Sequence, residues 1–351
     1  ASPDICADAR YFASLILIVA YRLRLISVIN YARRANDGRR PNYMRSMDDN
    51  RRCNDMRNFS YRFITSLSRK TGLWVFQLFA WFVATGYFIL FPGRVSNSTG
   101  TYRALFPDRS RWFHLWCAWR QFHNFTHVYQ DRFVLQRSKK LSFTSQCMQH
   151  LEAAVARGTG GILLMSHMGN WEVAAHLLKR KLKGLRLMLY MGIREKEQIE
   201  RMQKEALVQS GIRIIAVEKD GGSPMDLVEG IRFIESGGVV SMTGDLVWKT
   251  DQRTVPVQFL GQEILLPEVP HVLALLSGTP IFTFFAFRTA RNQYQFTMSE
   301  PIYVQAASRK DRKAVIRQSA QAYAQALEEA LRRYPLQWYH FKPFYKPENI
   351  H

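Results

Sequence analysis

From about residue 100 onward, short apolar runs alternate with stretches of helical character, and this alternation constrains the chain more than any other feature. The runs are Gly161–Met165 (GILLM), Leu185–Tyr190 (LRLMLY), Ile212–Val217 (IRIIAV), Gly238–Met242 (GVVSM) and Pro280–Phe287 (PIFTFFAF). Each is too short for an ordinary helix and nearly apolar throughout, as a strand covered on both faces must be. Helical stretches separate them at Asn170–Lys183, Glu195–Ser210, Pro224–Ser236 and Glu268–Ser277. A last helix is expected at Lys310–Arg333, ending before Pro335. Ahead of the first strand lie an aromatic-rich helical stretch, Arg111–Arg132, and a helix over Thr144–Arg157 that stops at Gly158. The pattern predicts an α/β fold with a largely parallel sheet flanked by helices.

The segment Thr71–Gly93 (TGLWVFQLFAWFVATGYFILFPG) carries no charge and sits between Lys70 and Arg94. As one helix it would run roughly 34 Å, close to the ~30 Å hydrocarbon core of a bilayer. Trp74, Trp81 and Tyr87 suit an interfacial position, and the basic flanks suit anionic headgroups. An N-terminal membrane-associated apolar helix is therefore expected, either spanning or lying in one leaflet. The competing reading is a core helix that is apolar on every side. Residues 1–57 are rich in Arg, Asn and Asp and read as a basic, largely disordered region. Their apolar run, Tyr11–Tyr21, is too short to span and is followed by no small-residue cleavage site, so it is not read as a signal peptide. The resulting division is 1–57, a membrane-associated helical segment at 58–98, and the α/β region at 99–351.

Lys and Arg total 49 against 28 Asp and Glu, a formal net charge of +21. That excess points to an anionic partner: nucleic acid, an acidic lipid surface or an acidic carrier protein. The four cysteines are scattered without a CxxC, which fits neither a disulfide framework nor a zinc site. Cys117 and Cys147 fall in expected helices and read as core. GxxxxGK[ST], GxSxG, HExxH and a post-strand GxGxxG are all missing from the sequence. His123, His127 and Asp131 share one helix face, but no second ligand pair lies nearby in sequence, and they read as a packed or solvated face with no metal. The tetrapeptide EGIR at 229–232 lies within a helical period and reads as coincidental.

The informative segment is GILLMSHMGNWEVAAHLL. A strand runs into Ser166, His167, Met168 and Gly169, and a helix opens at Asn170, a good N-cap residue. His167 thus stands at the carboxyl end of a strand, where α/β sheets place their chemistry. Glu172 lies in the first helical turn, where the helix dipole favours a carboxylate, and it is expected to turn back toward the imidazole. Such a pair makes a general base, the carboxylate fixing the tautomer and stabilising the imidazolium. Spacing alone carries no weight, since nine histidines and 28 acidic residues yield about one such pair by chance. The strand-to-helix junction, Gly169 and the aromatic wall of Trp171 supply the context.

HMGNWE resembles the HxGNWE block of the lipid A biosynthesis acyltransferases, the lauroyl and myristoyl transferases, and of the related mycobacterial mannoside acyltransferases. These belong to the lysophospholipid acyltransferase superfamily with its H-x4-D/E signature. The resemblance extends from about Arg57 to Tyr345 through MGIREKEQIERM, GGVVSMTGDLVWKTDQRTVPVQFLG, LPEVPHVLALLSGTPIFTFF and YPLQWYHFKPF. The acidic loop reads GDLVWKTDQR where the family more often has a DQD-type run, and the first 57 residues match nothing in it.

The resemblance implies an O-acyltransferase. His167 would take the proton from an acceptor hydroxyl as it attacks a fatty acyl thioester, with Glu172 orienting His167 and no acyl-enzyme. Arg194 would meet an anion, either the donor's phosphopantetheine or the acceptor's phosphate, or else be a solvated helix-start charge. Asp245 would support a substrate hydroxyl or cap a loop, and Asn170 and Trp171 would line the site. No metal or redox cofactor is implied. The donor would be acyl-acyl carrier protein or acyl-coenzyme A, and the acceptor a membrane glycolipid of the lipid A type, or alternatively a phospholipid or aminolipid. The place implied is a bacterial inner membrane, with the catalytic domain on the cytoplasmic face and drawn to its anionic surface. A basic nucleic-acid binder is the remote alternative, disfavoured by the absence of any RNP, helix-turn-helix or zinc-knuckle signal. A non-catalytic membrane scaffold is disfavoured by the intact His167 and Glu172.

Overall fold

Apolar runs with no polar face can be buried only between two layers, and the fold supplies both. The computed structural model describes residues 73–137, 141–192, 207–217, 224–247 and 252–342. The N-terminal region 1–57, the segment that follows it to residue 72, most of the helix expected at 195–210, and Arg194 lie outside the described residues. Strands β1 (Ser142–Gln146), β2 (Gly161–Met165), β3 (Leu187–Gly192), β4 (Arg213–Val217), β5 (Val239–Thr243), β8 (Ile281–Ala290) and β9 (Gln293–Met298) form one sheet. Its order among the described residues is β1-β9-β8-β2-β5-β3-β4. Only β8 and β9 are antiparallel; every other neighbouring pair is parallel. The expected mostly parallel α/β architecture is what the chain adopts.

All of β2 is buried. Ile162 and Leu164 point into one core layer, and Leu163 and Met165 into the other. The first layer is closed by helices α6 (Pro224–Glu235), α7 (Val269–Ser277) and α8 (Arg312–Arg333). On α8 the stripe Ile316, Ala320, Tyr323, Ala324, Leu327 and Leu331 repeats at helical spacing and is buried. The second layer is closed by α4 (Gln149–Arg157) and α5 (Trp171–Lys181), through Leu151, Ala154, Val173, Ala174, Leu177 and Leu178. EGIR lies within α6, and Gly158 ends α4 in the left-handed conformation at φ 65°.

The amino-terminal helices differ from expectation. The uncharged stretch is not one helix. Helix α1 (Leu73–Leu90) gives way at Phe91 to α2 (Pro92–Leu105), and the two axes meet at 91°. Pro92 lacks an amide hydrogen and its ring bars the helical conformation at Phe91, which sits at φ −120°, ψ 67°. Among the described residues no single helix is long and apolar enough to cross a membrane. The expected boundary at residue 98 falls inside α2. Helix α3 (Arg111–Arg137) runs five residues beyond the expected end and packs against both α1 and α2.

Residues 144–146, expected to open a helix, instead complete edge strand β1, whose exposure alternates with a period of two. Cys147 follows it at φ 59° and is exposed, so it is not a core residue. Cys117 is buried, and burial pushes its thiol up to about 11. The hairpin β6 (Thr254–Phe259) and β7 (Gln262–Pro267), and strand β9, were hidden from the apolar-run criterion because polar residues alternate through them.

Candidate functional site

Strands β2 and β5 are parallel neighbours, with Met165 opposite Thr243. Two residues past each strand end stand His167 and Asp245. The register therefore brings together two side chains 78 positions apart in sequence. Nδ1 of His167 lies 2.9 Å from Oδ1 of Asp245, and the His167 backbone N–H donates to Oδ2 at 2.8 Å. Gly244 donates its N–H back to the Met165 carbonyl at 2.8 Å, and the Tyr323 hydroxyl donates to the same carbonyl at 3.0 Å, fixing both strand ends.

The Asp245 side chain is wholly buried. Burial alone would raise its pKa, but the charge and hydrogen bond of His167, the nearby His340 and the Trp338 hydrogen bond together hold it down to about 2. Asp245 is therefore a carboxylate at neutral pH and only accepts. Nδ1 of His167 carries the hydrogen, and Nε2 is the ring nitrogen left for proton transfer. The imidazole is 31% exposed, so a substrate can reach it.

Glu172, expected to orient His167, pairs elsewhere. Its Oε2 accepts from Arg132 Nε at 2.7 Å, both side chains being buried. Burial raises the Glu172 pKa, against the attraction of Arg132. The reason for the difference is local. Glu172 is in the first turn of α5, whose inner face packs on α3, and Arg132 is on α3. The neighbouring α3 residue Asp131 is also buried, and its Oδ2 accepts from Arg288 Nε at 2.8 Å and from the Tyr294 hydroxyl at 2.5 Å. Successive residues of α3 thus tie it to the start of α5 and to strands β8 and β9. His123 and Asp131, which share a face of α3, have separate partners: His123 lies tilted against the Trp119 ring and meets Thr85 Oγ1 at 3.3 Å.

Asn170, expected to line the site, is buried and caps α5. Its Oδ1 accepts from the Val173 N–H at 3.2 Å, and its amide donates to the Tyr294 hydroxyl and the Val128 carbonyl. Trp171 is half-buried and packs against the second core layer. Ser166 is buried, its hydroxyl accepting from the Met168 N–H at 3.1 Å. Gly169 sits at φ 66°, and a Cβ there would lie 1.8 Å from the Ala286 carbonyl oxygen. We expect Gly169→Ala to destabilise the fold by about 1–3 kcal/mol from backbone conformation alone, with the clash added. Urea unfolding of the purified protein measures it, and an unchanged midpoint would contradict this packing.

One part of the site escaped the sequence reading. The closing segment after α8 crosses the His167 turn: Gly169 N–H donates to the Gln337 carbonyl and Tyr339 N–H to the His167 carbonyl, each at 2.8 Å. Trp338 Nε1 then donates to Asp245 Oδ2 at 2.9 Å, and His340 stacks on Trp338 and stands edge-on to His167. The visible signal was the QWYH tetrapeptide itself, an indole and an imidazole two residues apart after a helix-ending proline.

No curated protein matches the chain. The sequence model described as bacterial lipid A biosynthesis acyltransferase matches residues 126–347. That span covers His167, Glu172, Asp245, Trp338 and His340, and more than half of the 351 residues. With an imidazole and a buried carboxylate meeting at two adjacent strand ends inside the matched region, the chain belongs to the bacterial lipid A biosynthesis acyltransferase family.

Proposed function

We propose that this acyltransferase moves a fatty acyl chain from an acyl thioester, carried by acyl carrier protein or coenzyme A, to a hydroxyl of a membrane glycolipid of the lipid A type. The observation that carries the reading is the His167–Asp245 pair at the carboxyl ends of β2 and β5. Nε2 takes the proton of the acceptor hydroxyl as its oxygen attacks the thioester carbonyl carbon. Asp245 stabilises the imidazolium that forms. The tetrahedral intermediate collapses, the carbon–sulfur bond breaks, and His167 returns the proton to the leaving thiolate. The products are an ester and a free thiol, and the balance closes without a metal or redox group. Ser166, the nearest hydroxyl in sequence, is buried against the turn, which supports direct transfer rather than an acyl-enzyme.

In this reading the amino-terminal helices place the enzyme on one leaflet of a bacterial inner membrane, with the catalytic domain on the cytoplasmic side. Trp74, Trp81, Tyr87, Ile89 and Phe91 along α1 and its break, and Trp112 and Trp116 at the start of α3, are exposed. Arg94 lies over the Phe91 ring and Arg109 over the Phe113 ring, so cationic groups flank the apolar face. A bent helix pair with exposed aromatic rings and arginines fits an interfacial anchor that reaches anionic headgroups. The net charge of +21 favours the same membrane and an acidic carrier protein, and no nucleic acid enters the reading. Arg194 is retained as the candidate ligand for a phosphate of donor or acceptor.

The test is lipid mass spectrometry of a bacterial host expressing wild type or His167→Ala at matched levels. A lipid that gains the mass of one acyl chain only with wild type is expected, and its headgroup names the acceptor. A gain that persists with His167→Ala would remove His167 as the base.

A further inference from the structure

We propose that Trp338 is a positioning residue of the acyl-transfer site, acting through Asp245, and that the segment 337–340 is the strap that completes the site from the far end of the chain. The inference rests on the reading of His167 and Asp245 as the base pair. Trp338 is 1% exposed and comes from the turn that follows α8, 93 positions beyond the residue it bonds.

Asp245 receives three hydrogen bonds from described residues: two from His167 and one from the Trp338 indole. Oδ2 is shared between the His167 backbone and the indole, which leaves Oδ1 aimed at Nδ1. The indole N–H thus sets the rotation of the carboxylate about its own axis. A carboxylate free to rotate would no longer hold the imidazole, and with it Nε2, in one orientation toward the acceptor hydroxyl, so the rate falls through lost positioning.

The strap is itself held rigidly. Gln121 of α3 donates its side-chain amide to the Trp338 carbonyl. Met168 and Trp338 form a β-bridge, flanked by the Gly169-to-Gln337 and Tyr339-to-His167 backbone bonds. The Gln337 side chain accepts from the Arg288 N–H and donates to the Arg288 carbonyl, each at 2.9 Å, which locks the strap to the end of β8. The indole ring packs against Phe259 on one side and His340 on another. A residue needed only for volume would not require a donor aimed at a charged carboxylate through this many fixed contacts.

Removing the indole N–H leaves Asp245 with fewer donors and a more basic carboxylate, so protonated His167 is better stabilised. The base is active when neutral, so its titration must move to higher pH. Two variants separate this from packing: Trp338→Phe, and replacement of Trp338 by benzothienylalanine, in which sulfur takes the place of the N–H with the ring shape kept. Washed membranes holding the full chain are supplied with long-chain acyl-coenzyme A and, separately, acyl-acyl carrier protein, and thiol release and lipid mass are followed against pH. Both variants are expected to lower kcat about tenfold with the donor KM within about twofold, and to shift the acidic limb of the rate profile upward.

An acidic limb and kcat that stay at wild-type values in the benzothienyl protein would overturn the proposal. So would a loss in Trp338→Phe that the benzothienyl protein restores in full, since shape alone would then account for it. Activity retained by His167→Ala would instead overturn the reading of the base itself, whatever the Trp338 variants do.

Discussion

Asn in place of Asp245 is expected to reduce acyl transfer by about 10²–10⁴-fold while leaving the protein folded. The carboxylate meets only donors: the His167 backbone N–H, the His167 ring and the Trp338 indole. An amide has one acceptor oxygen and one donor nitrogen. If its oxygen keeps Oδ2's two bonds, its NH₂ faces Nδ1 of His167, and the ring must turn its hydrogen to Nε2. The base nitrogen is then already protonated, and the imidazolium has lost its counter-charge. The side chain keeps its size, so a drop in rate without a drop in unfolding midpoint is the signature. A variant with more than about a tenth of the wild-type rate would contradict the assignment.

Glu172→Ala is expected to act on stability instead, by about 3–5 kcal/mol, because it leaves the Arg132 guanidinium buried without its carboxylate. Urea unfolding measures the loss, and the rate per folded molecule should stay within a few-fold of wild type. Burial already raises the Glu172 pKa, so the converse variant, Arg132→Met, should be least damaging at low pH, where Glu172 takes up a proton and loses its charge. A hundredfold loss of rate in Glu172→Ala with an unchanged midpoint would return Glu172 to the chemistry of His167.

The strands with no polar face were legible because burial on both sides leaves a continuous apolar run, as in GILLM and GVVSM. Strands with one wet side, β1, β6 and β9, carry alternating polar residues that a search for apolar runs passes over. The break at Phe91 was written in Pro92, yet the apolar count across residues 71–93 hides it, since a proline adds nothing to charge. At the site, His167 was legible from its strand-to-helix junction. Its partner was not, because Glu172 is near in sequence while Asp245 is near in space, and only the register of β2 on β5 distinguishes them. For Asp245 the sequence supports only a substrate-hydroxyl contact or a loop cap, with no partner. Arg132 depends on how a neighbouring helix packs, which no local pattern reports, and Trp338 shows in the sequence only within QWYH, with nothing there to say that its indole reaches Asp245.

The central claim is that His167 and Asp245 act as one unit, and a double-mutant cycle tests it most directly. Rates of His167→Ala, Asp245→Asn and the double variant are compared in membranes with equal amounts of folded protein. Residues that work as a unit lose their contribution once, so the double variant should be no slower than His167→Ala. Losses that multiply, the double variant falling below His167→Ala by the full factor seen for Asp245→Asn alone, would show that the two act separately and would contradict the account.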